Sequence, residues 1–236
     1  PERRPFFLEG SGIFRFGIAL GDGDGANESL FYSRRIGRAP QGSVDDDGYA
    51  DADPQTTILG AWKLSGKTAG GLSVGVLHGL TSEESARVAP EEGERYDAPV
   101  EPLTSYGMVR LQQDFREGRS AVGVIGTAVN RDRGVAKDLE LRDAAYAGGV
   151  DFRHRFAGER YEIAGYLLGS RVLGSADAMA RTQRSAVRYF QRPDARSFSF
   201  DPTRTELSGG SAYLSFAKIG GEHWRFSTGL HTRSPG

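Results

Sequence analysis

The chain has 236 residues, enough for one large all-β domain or two small ones, and a formal charge of −1. That charge lacks the basic surplus of a nucleic-acid binder, and the absence of cysteine excludes disulfides and thiolate metal sites. No apolar run approaches the roughly 18 residues of a membrane-spanning helix. The 33 glycines are about twice the usual share of ~7% and indicate many tight turns and close backbone approaches.

The first residues are expected to connect this chain to an upstream domain. Residues 1–12 are dense in Pro, Arg and Phe, and they are predicted to form an extended lead-in from an upstream domain. Neither an initiator Met nor a signal peptide opens the chain, so we expect it to be an internal piece of a longer protein. Residues 13–236 are assigned to one β-domain, whose first strands are predicted over 13–20 and 30–36, with a turn at 21–25.

The middle of the chain contains two predicted hairpins. Residues 57–65 alternate between apolar and polar, and a turn at 66–70 leads to a return strand over 72–76. About two dozen loop residues rich in Glu and Pro are expected next. The stretch 104–130 is the clearest pattern in the chain, because its first arm has apolar or small odd positions and polar even positions around a turn at 117–119.

Two more hairpins are predicted downstream. One has arms over 144–153 and 161–167 with a turn at 157–159, and the last has arms over 207–218 and 224–230. Between them we expect a polar loop over 171–184 and a short strand over 187–190.

The fold class that follows is all-β, an antiparallel up-and-down hairpin meander of about ten strands. Four short turns alternate with longer, more polar connections, as in outer-membrane barrels with brief periplasmic turns and long extracellular loops. We therefore expect a partial transmembrane β-barrel. A soluble β-sandwich stays open as the alternative, because 121–129 is small or apolar on both faces and would suit a packed core as well as a narrow or plugged barrel.

In a barrel, the polar positions of these strands would face the interior. The predicted lumen-facing residues are Arg110, Gln112, Asp114, Asp151 and Arg153. Aromatic residues toward the strand ends are predicted to form interfacial girdles. They are Tyr106, Phe115, Tyr146, Phe152, Tyr161 and Trp224.

Several segments together resemble a known family. They are Glu2–Gly10 (ERRPFFLEG), Phe31–Gly37 (FYSRRIG), Ile58–Thr68 (ILGAWKLSGKT), Gln191–Asp194 (QRPD) and Asp201–Arg204 (DPTR). In this order they resemble a family of uncharacterised bacterial proteins with a predicted outer-membrane barrel, in which a family-9-type carbohydrate-binding domain usually lies upstream. The resemblance implies that residues 13–236 are the N-terminal part of an outer-membrane β-barrel, with further strands downstream. It also implies a bacterial outer-membrane location, a lipid-bilayer partner and contact with glycan through the upstream domain. It implies no reaction.

A group of charged residues near the N-terminus is the candidate anchor of the lead-in. Arg3, Arg4, Glu9, Arg34 and Arg35 are interpreted either as structural salt-bridge partners or as groups that hold the lead-in inside the barrel mouth, where a low dielectric strengthens arginine–carboxylate pairing.

Patterns associated with catalysis and cofactors are weak. Ser73 lies in a G-x-S-x-G match without the strand–turn–helix context of a nucleophile elbow, and the glycines at 21–25 are better explained as a turn than as a dinucleotide fingerprint. The carboxylates over 45–53 lack the spacing of a calcium loop. The histidines are scattered. His223 and His231 are predicted to share one strand face, but they are too far apart to share a metal. No catalytic residue, cofactor or metal is predicted.

The leading functional hypothesis is a non-enzymatic outer-membrane barrel segment, an anchor or conduit for an upstream glycan-binding domain. The alternative is a soluble periplasmic or secreted carbohydrate-binding sandwich that uses Trp62, Tyr106 and Trp224 as stacking platforms. A third hypothesis, a hydrolase, depends on Ser73 alone.

Overall fold

The computed structural model of the protein describes residues 4–18, 28–44, 48–186, 188–194 and 198–234. Arg3, the predicted turn at 21–25 and the acidic residues 45–47 lie outside these residues.

The described residues form thirteen strands and three short α-helices. The strands are β1 (Gly17–Ile18), β2 (Glu28–Ser29), β3 (Tyr49–Asp51), β4 (Ile58–Lys67), β5 (Leu72–Thr81), β6 (Glu84–Ala89), β7 (Tyr96–Glu101), β8 (Thr104–Phe115), β9 (Ser120–Arg131), β10 (Arg142–Phe156), β11 (Tyr161–Gly174), β12 (Glu206–Lys218) and β13 (Phe226–Arg233). The helices are α1 (Pro5–Leu8), α2 (Arg133–Asp138) and α3 (Ala176–Arg184), and 3₁₀ turns cover Ser11–Phe14 and Ser33–Arg35.

Eight long strands form the main sheet, in the order β13-β12-β11-β10-β9-β8-β5-β4, and every neighbouring pair is antiparallel. This confirms the predicted all-β, antiparallel up-and-down meander. Four short connections, over 68–71, 116–119, 157–160 and 219–225, all lie at one end of the sheet. The connections over 82–103, 132–141 and 175–205 lie at the opposite end, so short and long connections are segregated.

The main sheet is open, because β4 and β13 are its edges and do not pair with each other. The remaining strands form a three-stranded sheet, β3-β6-β7, and the two-stranded pair β1-β2. An open edge presents unpaired main-chain N–H and C=O groups that can accept a further strand.

One face of the main sheet is covered by residues that precede it in the chain. Phe7, Phe14, Phe16, Ile18 and Ile36 are buried there. They pack on residues of β5, β8, β9 and β11, which are Leu77, Tyr106, Met108, Ile125 and Tyr166. We call this covered side the inner face and the opposite side the outer face. The segment that covers it, the described parts of 4–38, is called the lead-in from here on.

The lead-in departs from the predicted strands. Residues 5–14 form α1 and a 3₁₀ turn instead of an extended chain, and 33–35 form a 3₁₀ turn instead of a strand. The alternation over 14–18 nevertheless indicates which side chains are buried, since Phe14, Phe16 and Ile18 all are. These side chains point to one surface, as in a strand, but the main sheet itself begins only at Ile58.

The long connections hold structure that was predicted to be loop. The connection after β5 contains the hairpin β6-β7, and the connection after β11 contains α3. Ser175 caps α3 by accepting a hydrogen bond from the amide of Ala178 at 3.2 Å, a preferred way to begin a helix. The short strand predicted at 187–190 is wrong for its described residues 188–190, which form turns.

Candidate functional site

The outer face of the main sheet is apolar and open to its surroundings. In β8 the odd positions lie on this face, where Val109 and Leu111 are 44% and 41% exposed. In β9 Val124 stands directly opposite Leu111 and is 49% exposed. Outward-facing large hydrophobics at least 39% exposed continue across the sheet: Trp62, Leu64, Phe115, Val122, Tyr146, Val150, Phe152, Phe156, Leu167, Leu214, Phe226 and Leu230.

Aromatic residues mark the two margins of this outer face. At the long-connection end, Trp62 stacks on His78, and the strand register continues this row through Gly107 and Ala128 to Tyr146. At the short-turn end, successive ring contacts of 5.4–5.9 Å join five aromatics from β10 to β13. They are Phe156, Tyr161, Phe216, Phe226 and Trp224.

The separation of the margins can be measured along β10. Tyr146 and Phe156 are ten positions apart in this strand, roughly 33 Å at about 3.3 Å per residue. In an outer-membrane barrel, a strand of that length tilted by about 40° would rise roughly 25 Å, which is the height of the apolar band of such barrels. Val124 and Val150, paired across β9 and β10, lie near the middle of that band.

Tyr106 does not belong to these margins. It lies on the inner face of β8 and is 7% exposed, so both its prediction as a girdle residue and its prediction as an exposed carbohydrate platform are wrong. Its even position in β8 places it with Met108 and Arg110. The other predicted girdle residues are Phe115, Tyr146, Phe152, Tyr161 and Trp224, none of which is buried.

The inner face has a polar network toward the short-turn end. Arg110, 3% exposed, donates two hydrogen bonds to the carboxylate of Asp151 at 2.5 and 2.9 Å. It also donates to Gln112, whose amide donates to Asp114 at 3.1 Å. The Arg110 guanidinium lies 5.4 Å from the ring centre of Phe16, which joins this network to the lead-in.

Four of the predicted lumen-facing residues, Arg110, Gln112, Asp114 and Asp151, are therefore joined in one hydrogen-bonded chain. Arg153 lies on the same face and donates to the main-chain carbonyl of Gly118 at 3.2 Å. That they line a lumen stays a prediction.

Gly123 makes the central ion pair of this network possible. It lies on β9, between the strands that carry Arg110 and Asp151. A Cβ atom at Gly123 would stand 2.6 Å from an Arg110 nitrogen and 2.6 Å from an Asp151 oxygen. The pair thus crosses β9 where the strand has no side chain.

Other glycines of the inner face make room for the lead-in. A Cβ atom at Gly75 would lie 2.8 Å from the ring of Phe14, and one at Gly149 would lie 3.2 Å from Phe16. The same holds for Gly79, where the nearest atom, at 3.2 Å, belongs to Ile36. The sheet therefore carries shallow depressions that match side chains of the lead-in.

Main-chain carbonyls hold the lead-in at its beginning. Arg4 donates to the carbonyls of Ile36 and Ser33, at 2.6 and 3.3 Å, and its guanidinium lies 4.5 Å from the ring centre of Phe7. The ammonium of Lys63 donates to the carbonyl of Glu9 at 2.7 Å and to that of Phe6.

Among the other predicted anchors, Arg34 lies over the ring of Tyr32 at 5.6 Å, and Arg35 lines a cavity described below. Lys63 was missed, although the alternation in β4 places it on the same face as Ala61 and Ser65.

Ser73 and the histidines, which form only weak chemical patterns in the sequence, lie within strands or turns of the fold. Ser73 lies within β5, paired with Gln112, and no helix follows it. His78, His154 and His231 each share a hydrogen bond with a serine of the neighbouring strand. His223 lies in the turn before β13, so its placement on a strand face with His231 is wrong.

Residues 4–18, 28–44, 48–186, 188–194 and 198–234 contain no group of three or more metal-ligating side chains placed to hold an ion. They also contain no helix long and apolar enough to cross a membrane.

The fold and the two faces define an all-β protein built on an open antiparallel meander, with an apolar outer face and an inner face occupied by its own N-terminal segment. The family model of a domain of unknown function, DUF5916, matches residues 1–233, and the chain belongs to that family. No curated protein and no solved structure matches the chain.

Proposed function

We propose that this chain is the N-terminal part of a bacterial outer-membrane β-barrel, non-enzymatic in this portion, which anchors an upstream glycan-binding domain. The observation that carries the proposal is the outer face: a band of exposed aliphatic side chains, with aromatic residues toward both of its margins. Soluble monomers rarely expose contiguous apolar patches larger than a few hundred Å². Lipid is the surrounding that this pattern fits, so the proposed partner is the bilayer.

The connections support the same proposal. Short turns at one end and long, structured connections at the other are the arrangement of outer-membrane barrels. The open edges at β4 and β13 are then the places where further strands complete the cylinder, since a barrel leaves no edge unpaired.

The lead-in favours an anchor over an open conduit. Phe14, Phe16 and Ile36 occupy the inner face, at 6%, 2% and 0% exposure, where a water-filled channel would require polar side chains. The part of the interior next to these strands is thus filled by protein. The upstream carbohydrate-binding domain comes from the family resemblance alone, and we assign any glycan contact to that domain.

Single-cysteine labelling tests the proposal, because the chain has no cysteine of its own. Val124→Cys places a thiol in the middle of the outer face, and the control Glu92→Cys places one in the exposed turn between β6 and β7. In intact bacteria, a membrane-impermeant maleimide should label position 92 and leave position 124 unlabelled until the protein is denatured. Glu117→Cys, in a short turn, should react only after the outer membrane is permeabilised.

Equal labelling of positions 92 and 124 in the native protein would refute the membrane location. It would favour the soluble carbohydrate-binding alternative, for which Trp62 and Trp224 remain as platforms at 54% and 58% exposure. A sandwich requires a second large sheet against the inner face. In the described part of the chain the lead-in occupies that position.

A further inference from the structure

An arginine-lined cavity lies on the inner face at the long-connection end of the sheet. Its volume is about 220 Å³, and four arginines are among the residues that line it: Arg35 and Arg38 from the lead-in, Arg131 from the end of β9, and Arg142 from the start of β10. Gln41, Tyr106, Val129, Ala144, Ala145 and Val172 complete the wall. This cavity lies at the opposite end of β9 from the Arg110–Asp151 pair.

A β-bulge directs Arg142 into the cavity. Arg142 pairs with Gly174 and Ala144 pairs with Leu173, so Asp143 is an extra residue in β10. In a regular strand, with Asp143 paired and no bulge, Arg142 would share a face with Ala144 and Tyr146, which is the outer face. Bulges often re-aim a side chain at a functional site.

The arginines of the cavity are only partly neutralised. Arg38 pairs with the buried carboxylate of Glu101 at 3.3 Å. Arg131 donates instead to two neutral acceptors, the carbonyl of Arg142 at 2.8 Å and the side chain of Gln41 at 2.7 Å. Its Nε is buried and has no hydrogen-bond partner among the described residues.

Further positive charge surrounds Arg142. Burial is the main cause that lowers the pKa of the Arg142 guanidinium, and repulsion by Arg131, Arg188, Arg38 and Arg35 lowers it further. Arg188 lies in the long connection before β12, and burial lowers the pKa of its guanidinium. The carboxylates of Glu101 and Asp143 attract Arg131, and one oxygen of Asp143 is buried with no hydrogen-bond partner among the described residues.

We propose that this cavity binds a small oxyanion, phosphate or sulfate, either as the free ion or as the charged group of a larger ligand. An anion relieves the mutual repulsion of the arginines and accepts hydrogen bonds from donors that lack a charged partner. The volume is below the roughly 300–1,000 Å³ of pockets for drug-sized ligands, so it suits one charged group. The site does not depend on the membrane location proposed above.

Calorimetric titration of the full chain with sodium phosphate, against sodium chloride at matched ionic strength, tests the site. Phosphate should bind saturably and raise the Tm, while chloride should not. Arg142→Gln should weaken phosphate binding roughly tenfold or more, the usual loss for a hydrogen bond to a charged group. The control Arg171→Gln removes an exposed arginine paired with Glu206, outside the cavity, and should change affinity less than about twofold.

A second readout separates binding from a purely structural role. Arg142→Gln removes repulsion, so it should raise the Tm without phosphate and abolish the further rise with phosphate. If that variant fails to fold, Arg35→Gln, at an exposed position, gives the same comparison.

Glucose 6-phosphate distinguishes the source of the anion. Binding of both phosphate and glucose 6-phosphate indicates the charged group of a larger ligand, and binding of phosphate alone indicates the free ion. Equal effects of phosphate and chloride, or equal losses in Arg142→Gln and Arg171→Gln, would overturn the proposal.

Discussion

The stability cost of a lysine introduced in the middle of the outer face distinguishes whether that face contacts lipid or water. Val124 is 49% exposed and lies four residues from Ala128 in the Trp62–Tyr146 row and four from Ser120, which pairs with Phe115 near the other margin. At about 3.3 Å per residue, it is roughly 13 Å along the strand from each. In a bilayer, Val124→Lys should cost about 2–4 kcal/mol, the loss measured for lysine at the midplane of barrels.

The matched control is Thr228→Lys. Thr228 is an exposed outward position that pairs with Phe216 near the short-turn margin, where a lysine costs only about 0–1 kcal/mol. On a water-facing sheet both substitutions should stay within about 1 kcal/mol, since exposed sites tolerate such changes. The difference between the two variants is therefore the diagnostic quantity.

Urea unfolding in lipid vesicles, using the longer protein if it contains the closing strands, measures that difference. With an m-value of about 3 kcal/mol/M, a loss of about 3 kcal/mol lowers the urea midpoint by roughly 1 M in Val124→Lys, and the control should shift by less than a third of that. Midpoints that coincide for Val124→Lys and Thr228→Lys would refute the assignment of the outer face to lipid.

Two further substitutions test the inner face by the same unfolding assay. Phe16→Ala should lower the free energy of unfolding by about 3–5 kcal/mol, because Phe16 is packed against the sheet and only 2% exposed. The control Phe6→Ala, at a 38% exposed position in the same segment, should lower it clearly less. Equal losses would contradict the packing of the lead-in. Gly123→Ala should lower the free energy of unfolding by about 1–3 kcal/mol, because the added Cβ would collide with Arg110. The control Gly126→Ala should be close to neutral, because no atom lies within 4 Å of the added Cβ. A neutral Gly123→Ala would show that the Arg110–Asp151 pair tolerates a side chain beneath it.

Alternation of apolar and polar residues predicted the strands of the main sheet because the two faces of each strand lie in different environments. In β8 the alternation sorts Val109 from Arg110, and the structure places them on opposite faces. The five polar side chains predicted to share a face do so for the same reason. Periodicity of two is a local property, so it needs no knowledge of what covers either face.

The lead-in and the arginine cavity depended on contacts that a local pattern does not contain. Phe14 and Phe16 alternate like strand residues, yet their partners lie on β5, β10 and β11, far along the chain. Arg142 reaches the inner face only through the bulge at Asp143, which reverses its parity. In contrast, α3 had a readable signal, the Ser175 cap before an alanine-rich run, and the missed helix reflects its short length.

The position of the lead-in at the start of the chain has a consequence for how the fold assembles. Every strand of the main sheet is synthesised after Phe14, Phe16 and Ile36, and the depressions at Gly75, Gly79 and Gly149 belong to strands that arrive later. The first hairpins can thus form when the lead-in side chains that they pack against have already been synthesised. The bulk of a few aromatic and aliphatic side chains near the start of the chain would then determine where the later strands need glycine on their inner face.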